Sequence, residues 1–144
     1  MIMTVEDKIY INASVNDVWN ITEDIKRWPE WTPTISSVRF IGQEKLGIGN
    51  VVSIKQPGQP ESNWTITEHI PNKSFSWETR RRGLYMKATH LLQPAESGTV
   101  NTLRLEASGF MSIIMWPLFR IATRHALRKE NQGLKARSES DQNH

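Results

Sequence analysis

The 144-residue chain carries 18 Lys and Arg against 15 Asp and Glu, a formal charge of only +3, so neither a strongly basic nucleic-acid face nor an acidic one is indicated. It has no cysteine, which excludes disulfides, thiolate metal sites and a cysteine nucleophile. One domain of this size buries roughly 70% of the surface its unfolded chain exposes, enough for a single core that could hold a cavity.

The opening residues meet Glu6, Asp7 and Lys8 before any apolar run forms. That pattern is not a secretory signal, and a cytoplasmic location is the expectation. KIYINAS, residues 8–14, alternates with Ile9, Ile11 and Ala13 on one side and predicts a strand. Ser14 with Asp17 three residues on resembles an N-terminal capping pair. It precedes Val15, Val18, Trp19 and Thr22 at helical spacing. A second short helix from Asp24 has to accommodate Pro29, which removes a donor and disfavours helix in the residue before it. DIKRWPEWTPTI, residues 24–35, therefore closes the helical stretch. Trp28 is expected in the core, and Trp31, between Pro29 and Pro33, as a lid over a cavity.

From residue 36 to 109 turn signals recur about every ten residues, predicting six further strands in a meander. Alternation places Val38 and Phe40; Val52 and Ile54; Trp64, Ile66 and Ile70; Phe75 and Trp77; Leu84, Met86, Ala88 and Leu92; and Leu103, Leu105 and Ala107 on one oily face. SIIMWPLFRIATRHALRKENQGLKARSE, residues 112–139, reads as one long helix that Pro117 would kink or start, with a frayed polar tail from residue 138. Its apolar run is uncharged from Gly109 to Phe119, too short for a bilayer-spanning helix of about 20 residues. No transmembrane segment is expected.

Strand, two short helices, six antiparallel strands and a long helix is the order of the helix-grip fold. INASVNDVWNITEDIKRWPEWTPTI resembles the opening of the polyketide cyclase/dehydrase-like branch of the START and birch-pollen-allergen (SRPBCC) superfamily. LGIGNVV, WTITEHIPNKSFSW and NQGLKARSE resemble its strand turns and helix end. The resemblance implies an α+β helix-grip domain over residues 1–144, a curved seven-stranded antiparallel sheet wrapped around the C-terminal helix. It also implies an elongated apolar cavity, in which members of the superfamily bind lipids, sterols, polyketides or hormones, and some cyclise or dehydrate polyketides. No shared catalytic triad comes with it.

Within such a cavity the expected ligand-binding residues are Trp28, Trp31, Phe40, Ile54, Trp64, Ile66, Phe75, Trp77, Met86, His90, Leu103, Leu105, Ile114, Leu118 and Ile121. Two inward positions break the oily pattern. With tight turns, Glu68 and His90 each fall opposite Phe75, and a carboxylate and an imidazole there could serve as acid and base or anchor a polar ligand end. A structural pair, or a strand bulge that turns one of them outward, is the alternative. His69 falls on the wet face, His125 on the long helix and His144 on the tail, so no metal site and no cofactor is expected. The apolar start of the last helix, Ile113, Ile114, Trp116, Leu118, Phe119 and Ile121, is wider than one contact requires and could wall the cavity, form a homodimer or face a lipid headgroup region. The function expected is carriage or sensing of a small hydrophobic molecule such as a lipid, polyketide or aromatic compound. The alternative is a polyketide cyclase/dehydrase-like enzyme using Glu68 and His90.

Overall fold

The computed structural model describes residues 2–141. Strand β1 (Met3–Ile11) leads into helix α1 (Val15–Glu23), a 3-10 helix over Ile25–Glu30, strands β2 (Ser37–Ile41), β3 (Val51–Lys55), β4 (Ser62–Ile70), β5 (Ser74–Arg81), β6 (Leu84–Ala95) and β7 (Gly98–Ser108), and helix α2 (Phe110–Asp141). The seven strands form one antiparallel sheet in the order β1-β7-β6-β5-β4-β3-β2, a meander joined at its far edge by the first strand. This is the helix-grip arrangement, with α2 lying across the concave face.

Local chemistry explains the elements. The Ser14 hydroxyl accepts the Asp17 amide at 3.1 Å and caps α1, satisfying a donor that the first helical turn leaves open. Pro29 is tolerated because the segment around it is a 3-10 helix of six residues. It places Trp28 inward, where the indole N–H donates to the Thr22 carbonyl at 3.0 Å. Helix α2 is preceded by Gly109, whose φ of +98° glycine adopts without strain. A Cβ there would lie 2.5 Å from the Gly83 carbonyl oxygen, which also accepts the Met111 amide at 2.9 Å. The start of α2 is thereby tied to the tip of the β5–β6 hairpin.

The core runs from α1 and the 3-10 helix across the middle strands. Val18, Trp19, Ile25, Trp28, Val52, Ile66, Phe75, Trp77, Leu92 and Leu134 are all buried in it. Helix α2 joins this core only through its C-terminal half. Asn131, fully buried, receives a hydrogen bond from the Asn101 amide at 2.7 Å and donates to the Asp7 carboxylate at 2.8 Å, while Glu139 accepts the Asn12 backbone amide at 2.8 Å.

Two expectations about the ends are revised. Residues 138–141 are helical rather than frayed, and Ser138 is fully buried. Residues 142–144, including His144, lie outside the described residues. Pro117 does not start α2, which begins at Phe110 and continues through it, although the proline leaves the Ile113 carbonyl without its usual helical donor.

Candidate functional site

Between the sheet and the first five turns of α2 lies a cavity of about 660 Å³. Trp28, Trp64, Trp77 and His90 lie on its inner side, and Ile54, Leu84, Met86, Ala88, Leu103 and Leu105 on the strands. Ile114, Met115, Leu118, Phe119, Ala122, Ala126 and Leu127 cover it from α2. From Ile114 to Glu130 it follows the helix for about 24 Å at 1.5 Å per residue. Its exposed rim carries Gln56, Gln59 and Arg81; its buried end carries His90 and Glu130.

His90 sits in an aromatic enclosure. Its ring stacks on Phe75 at 4.3 Å with an 8° interplanar angle, and the rings of Trp28 and Trp77 stand 5.2 and 5.7 Å away. The register His90↔Phe75 is the one expected from tight turns. Burial without a compensating charge pushes its pKa down to about 3, so the imidazole is neutral across the physiological range. The carboxyl facing it is Glu130, on α2, with Oε1 3.9 Å from His90 Nδ1. Its side chain is 13% exposed, and burial pushes its pKa up to about 8. At neutral pH the pair is thus predominantly a protonated carboxyl beside a neutral imidazole, 3.9 Å being too long for a direct hydrogen bond. A ligand oxygen could bond to either group.

Glu68 does not belong to this site. A bulge between Ile66 and Glu68 leaves Thr67 outside the β4–β5 register, so Glu68 pairs with Ser76 and His69 with Phe75. The extra residue reverses the faces: Glu68 points outward to Lys87 at 2.6 Å, Ile70 becomes half-exposed, and His69 turns inward with its ring 5.8 Å from Trp19. The Glu68 hydrogen bond holds the Lys87 pKa above its usual value, against a weaker opposing effect of burial. The two polar residues flanking Phe75 are therefore His69 and His90.

Trp31 is also displaced from its expected role. It packs on Trp28 at 5.4 Å, and its carbonyl oxygen lies so close to Gly133 of α2 that a Cβ there would stand 2.0 Å from it. It seals the closed end of the molecule and does not line the cavity. Ile66 and Phe75, both fully buried, form the layer beneath, and Phe40 packs at the β2 edge of the core. Ile121 faces outward, 70% exposed. The remaining expected residues, Trp28, Ile54, Trp64, Trp77, Met86, His90, Leu103, Leu105, Ile114 and Leu118, all border the cavity.

Glu130 was missed because a glutamate amid Arg128, Lys129 and Asn131 reads as a solvated helix face. The available signal was its spacing from Leu127 and Leu134, which puts it beside the buried stripe of α2.

Residues 3–139 match the family described as polyketide cyclase / dehydrase and lipid transport. The chain belongs to that family. Among curated proteins no sequence matches. The similar solved structures share the fold at low identity. The di-domain ARO/CYC StfQ from the steffimycin biosynthetic pathway superimposes with a TM-score of 0.81 at 14% identity over 100% of this chain, which spans 53% of that larger chain. A START superfamily protein from Mycobacterium smegmatis gives 0.79 at 15% identity, covering 95% of this chain and 97% of its own. Norcoclaurine synthase from Thalictrum flavum, in complex with a transition-state analogue, gives 0.78 at 16% identity over 99% and 97%. This member of the family has, among its described residues, no helix long and apolar enough to cross a membrane.

Proposed function

We propose that the protein binds a small, largely apolar molecule in the cavity beneath α2, oriented by one oxygen-bearing group that meets Glu130 and His90. The observation that supports this is the pairing of a long, mainly apolar cavity with a single buried polar end, both of whose groups are neutral at physiological pH. Burial of apolar ligand surface supplies most of the affinity, at about 25 cal/mol per Å². A hydroxyl or carbonyl at the buried end can accept from the protonated carboxyl or bond to the imidazole, whereas a carboxylate there would be uncompensated. Native mass spectrometry of protein purified from its host tests this directly. A co-purified hydrophobic molecule lost from Leu103→Arg supports the reading; a ligand retained in that variant places binding elsewhere.

The same pair supports a second reading, acid–base chemistry on a polyketide-like or aromatic substrate. Glu130, with a pKa near 8, holds a proton it can donate to a carbonyl or a departing hydroxyl at neutral pH, and the neutral imidazole of His90 can accept one. In an enzyme, Glu130→Gln abolishes turnover while ligand affinity changes by less than about tenfold. In a carrier, transfer or sensing survives the same change.

A further inference from the structure

The outward face of α2 is unlike the rest of the surface. Over its first three turns Phe110, Ile113, Ile114, Leu118 and Ile121 are 56 to 81% exposed. On the next two turns Arg124 and Arg128 continue the same stripe, with Arg120 and Lys129 beside it. No acidic residue occurs between Phe110 and Lys129. The hairpin tip tied to the helix start adds Arg80, Arg81 and Arg82, all exposed. Among the described residues none of these six arginines forms an ion pair. Six arginines and Lys129, seven positive charges in a chain whose total is only +3, therefore lie along or beside one apolar strip.

We infer that this face docks on an anionic lipid surface, the apolar turns entering the headgroup boundary and the arginines bonding to lipid phosphates. A helix that is apolar on one stretch and arginine-rich on the adjoining one meets both layers of such an interface. Charge argues against a second copy as the occupant: a self-complementary contact through this face would set arginines against arginines with no carboxylate between them. Nucleic acid would satisfy the arginines but leave the isoleucines against phosphate. Docking in this orientation brings the Ile114–Leu118 rim of the cavity to the lipid, so an apolar ligand could pass between the two without crossing water. The inference stands apart from the ligand-binding reading, since a docking face requires no occupied cavity.

The test is co-sedimentation with vesicles of equal parts phosphatidylcholine and phosphatidylglycerol, against vesicles of phosphatidylcholine alone. Binding is expected only to the anionic vesicles, falling as salt rises. Ile113→Ser with Ile121→Ser, neither of which lines the cavity, should weaken it roughly fivefold. Arg120→Glu with Arg124→Glu should weaken it by more than about tenfold. Ile113→Gln alone, with an unchanged melting temperature, serves as the check that a loss is not unfolding. Equal binding to both vesicles, no binding to either, or full binding by Ile113→Ser with Ile121→Ser or by Arg120→Glu with Arg124→Glu overturns the inference. So does a doubled mass in light scattering that Ile113→Ser with Ile121→Ser returns to a monomer.

Discussion

The two halves of α2 are built to different standards. From Glu130 onward the helix is fastened by Asn131 to Asp7 and Asn101, by Gly133 to the Trp31 backbone, by Arg137 to Glu30 at 2.9 Å, and by Glu139 to the Asn12 amide. From Phe110 to Leu118 it is held mainly by the Met111–Gly83 hydrogen bond and exposes its large side chains. One helix thus combines a fixed end, which can hold an acid and an imidazole at a set separation, with a loosely covered end through which a ligand can pass. Rigidity sits where the proposed site needs geometry, and sparse packing where the proposed ligand exchange needs movement.

Substitutions can break that contrast. The largest effect is expected at Gly133, where the helix and the Trp31 loop touch backbone to backbone. Gly133→Val should cost about 3 kcal/mol and lower the melting temperature by roughly 10 °C, measured by thermal and urea unfolding. A change under 1 kcal/mol, within the usual range for surface substitutions, would show that the closed end is not tightly packed.

Next comes Asn131→Leu, which leaves Asp7 and Asn101 without their buried partner and should cost about 2 kcal/mol. Amide exchange should then accelerate in the C-terminal half of α2, with little change in the already open N-terminal half.

A smaller effect is pH dependence. Glu130 keeps its proton in the folded chain up to about pH 8 but loses it near 4.5 when unfolded, so its contribution is lost as pH rises through that window. His90 is neutral when folded down to about pH 3 but takes a proton near 6.5 when unfolded, so stability falls as pH drops below 6.5. Glu130→Gln should remove the alkaline decline between pH 6 and 8 and leave the acid one intact; an unaltered profile would place the proton elsewhere.

The smallest stability effect is expected at the open end. Leu118→Ala, at an 81% exposed position, should change stability by less than about 0.5 kcal/mol while altering the dissociation rate of a bound hydrophobic dye such as ANS. A large stability loss there would erase the distinction between the halves.

Much of the architecture was legible because it is periodic: alternating apolar residues marked the strands, while Ser14 marked where the first helix begins and Pro29 where the helical stretch closes. The inward face from Phe75 to Leu105 and the register of His90 against Phe75 followed from the same period of two. What failed was aperiodic. A one-residue bulge at Thr67 carries no pattern, and it exchanged Glu68 for His69. The docking of Trp31 on Gly133 joins residues a hundred positions apart through the absence of a side chain. Glu130 carries the polarity of a surface residue because its burial is set by tertiary packing, not by its own type.

The bulge has a consequence for how this face can change. Strand β4 holds, in consecutive positions, two alternative side chains for one inward location beside Phe75, and Thr67 decides which is presented. Loss of that single residue would remove the bulge yet keep Glu68 opposite Ser76 and His69 opposite Phe75, because those pairs already follow Ile66↔Trp77 in step once Thr67 is gone. The polarity beside the core is thus insensitive to deletion of the bulge, whereas pairing Thr67 into the ladder opposite Ser76 would bring the Glu68 carboxylate to the Phe75 ring.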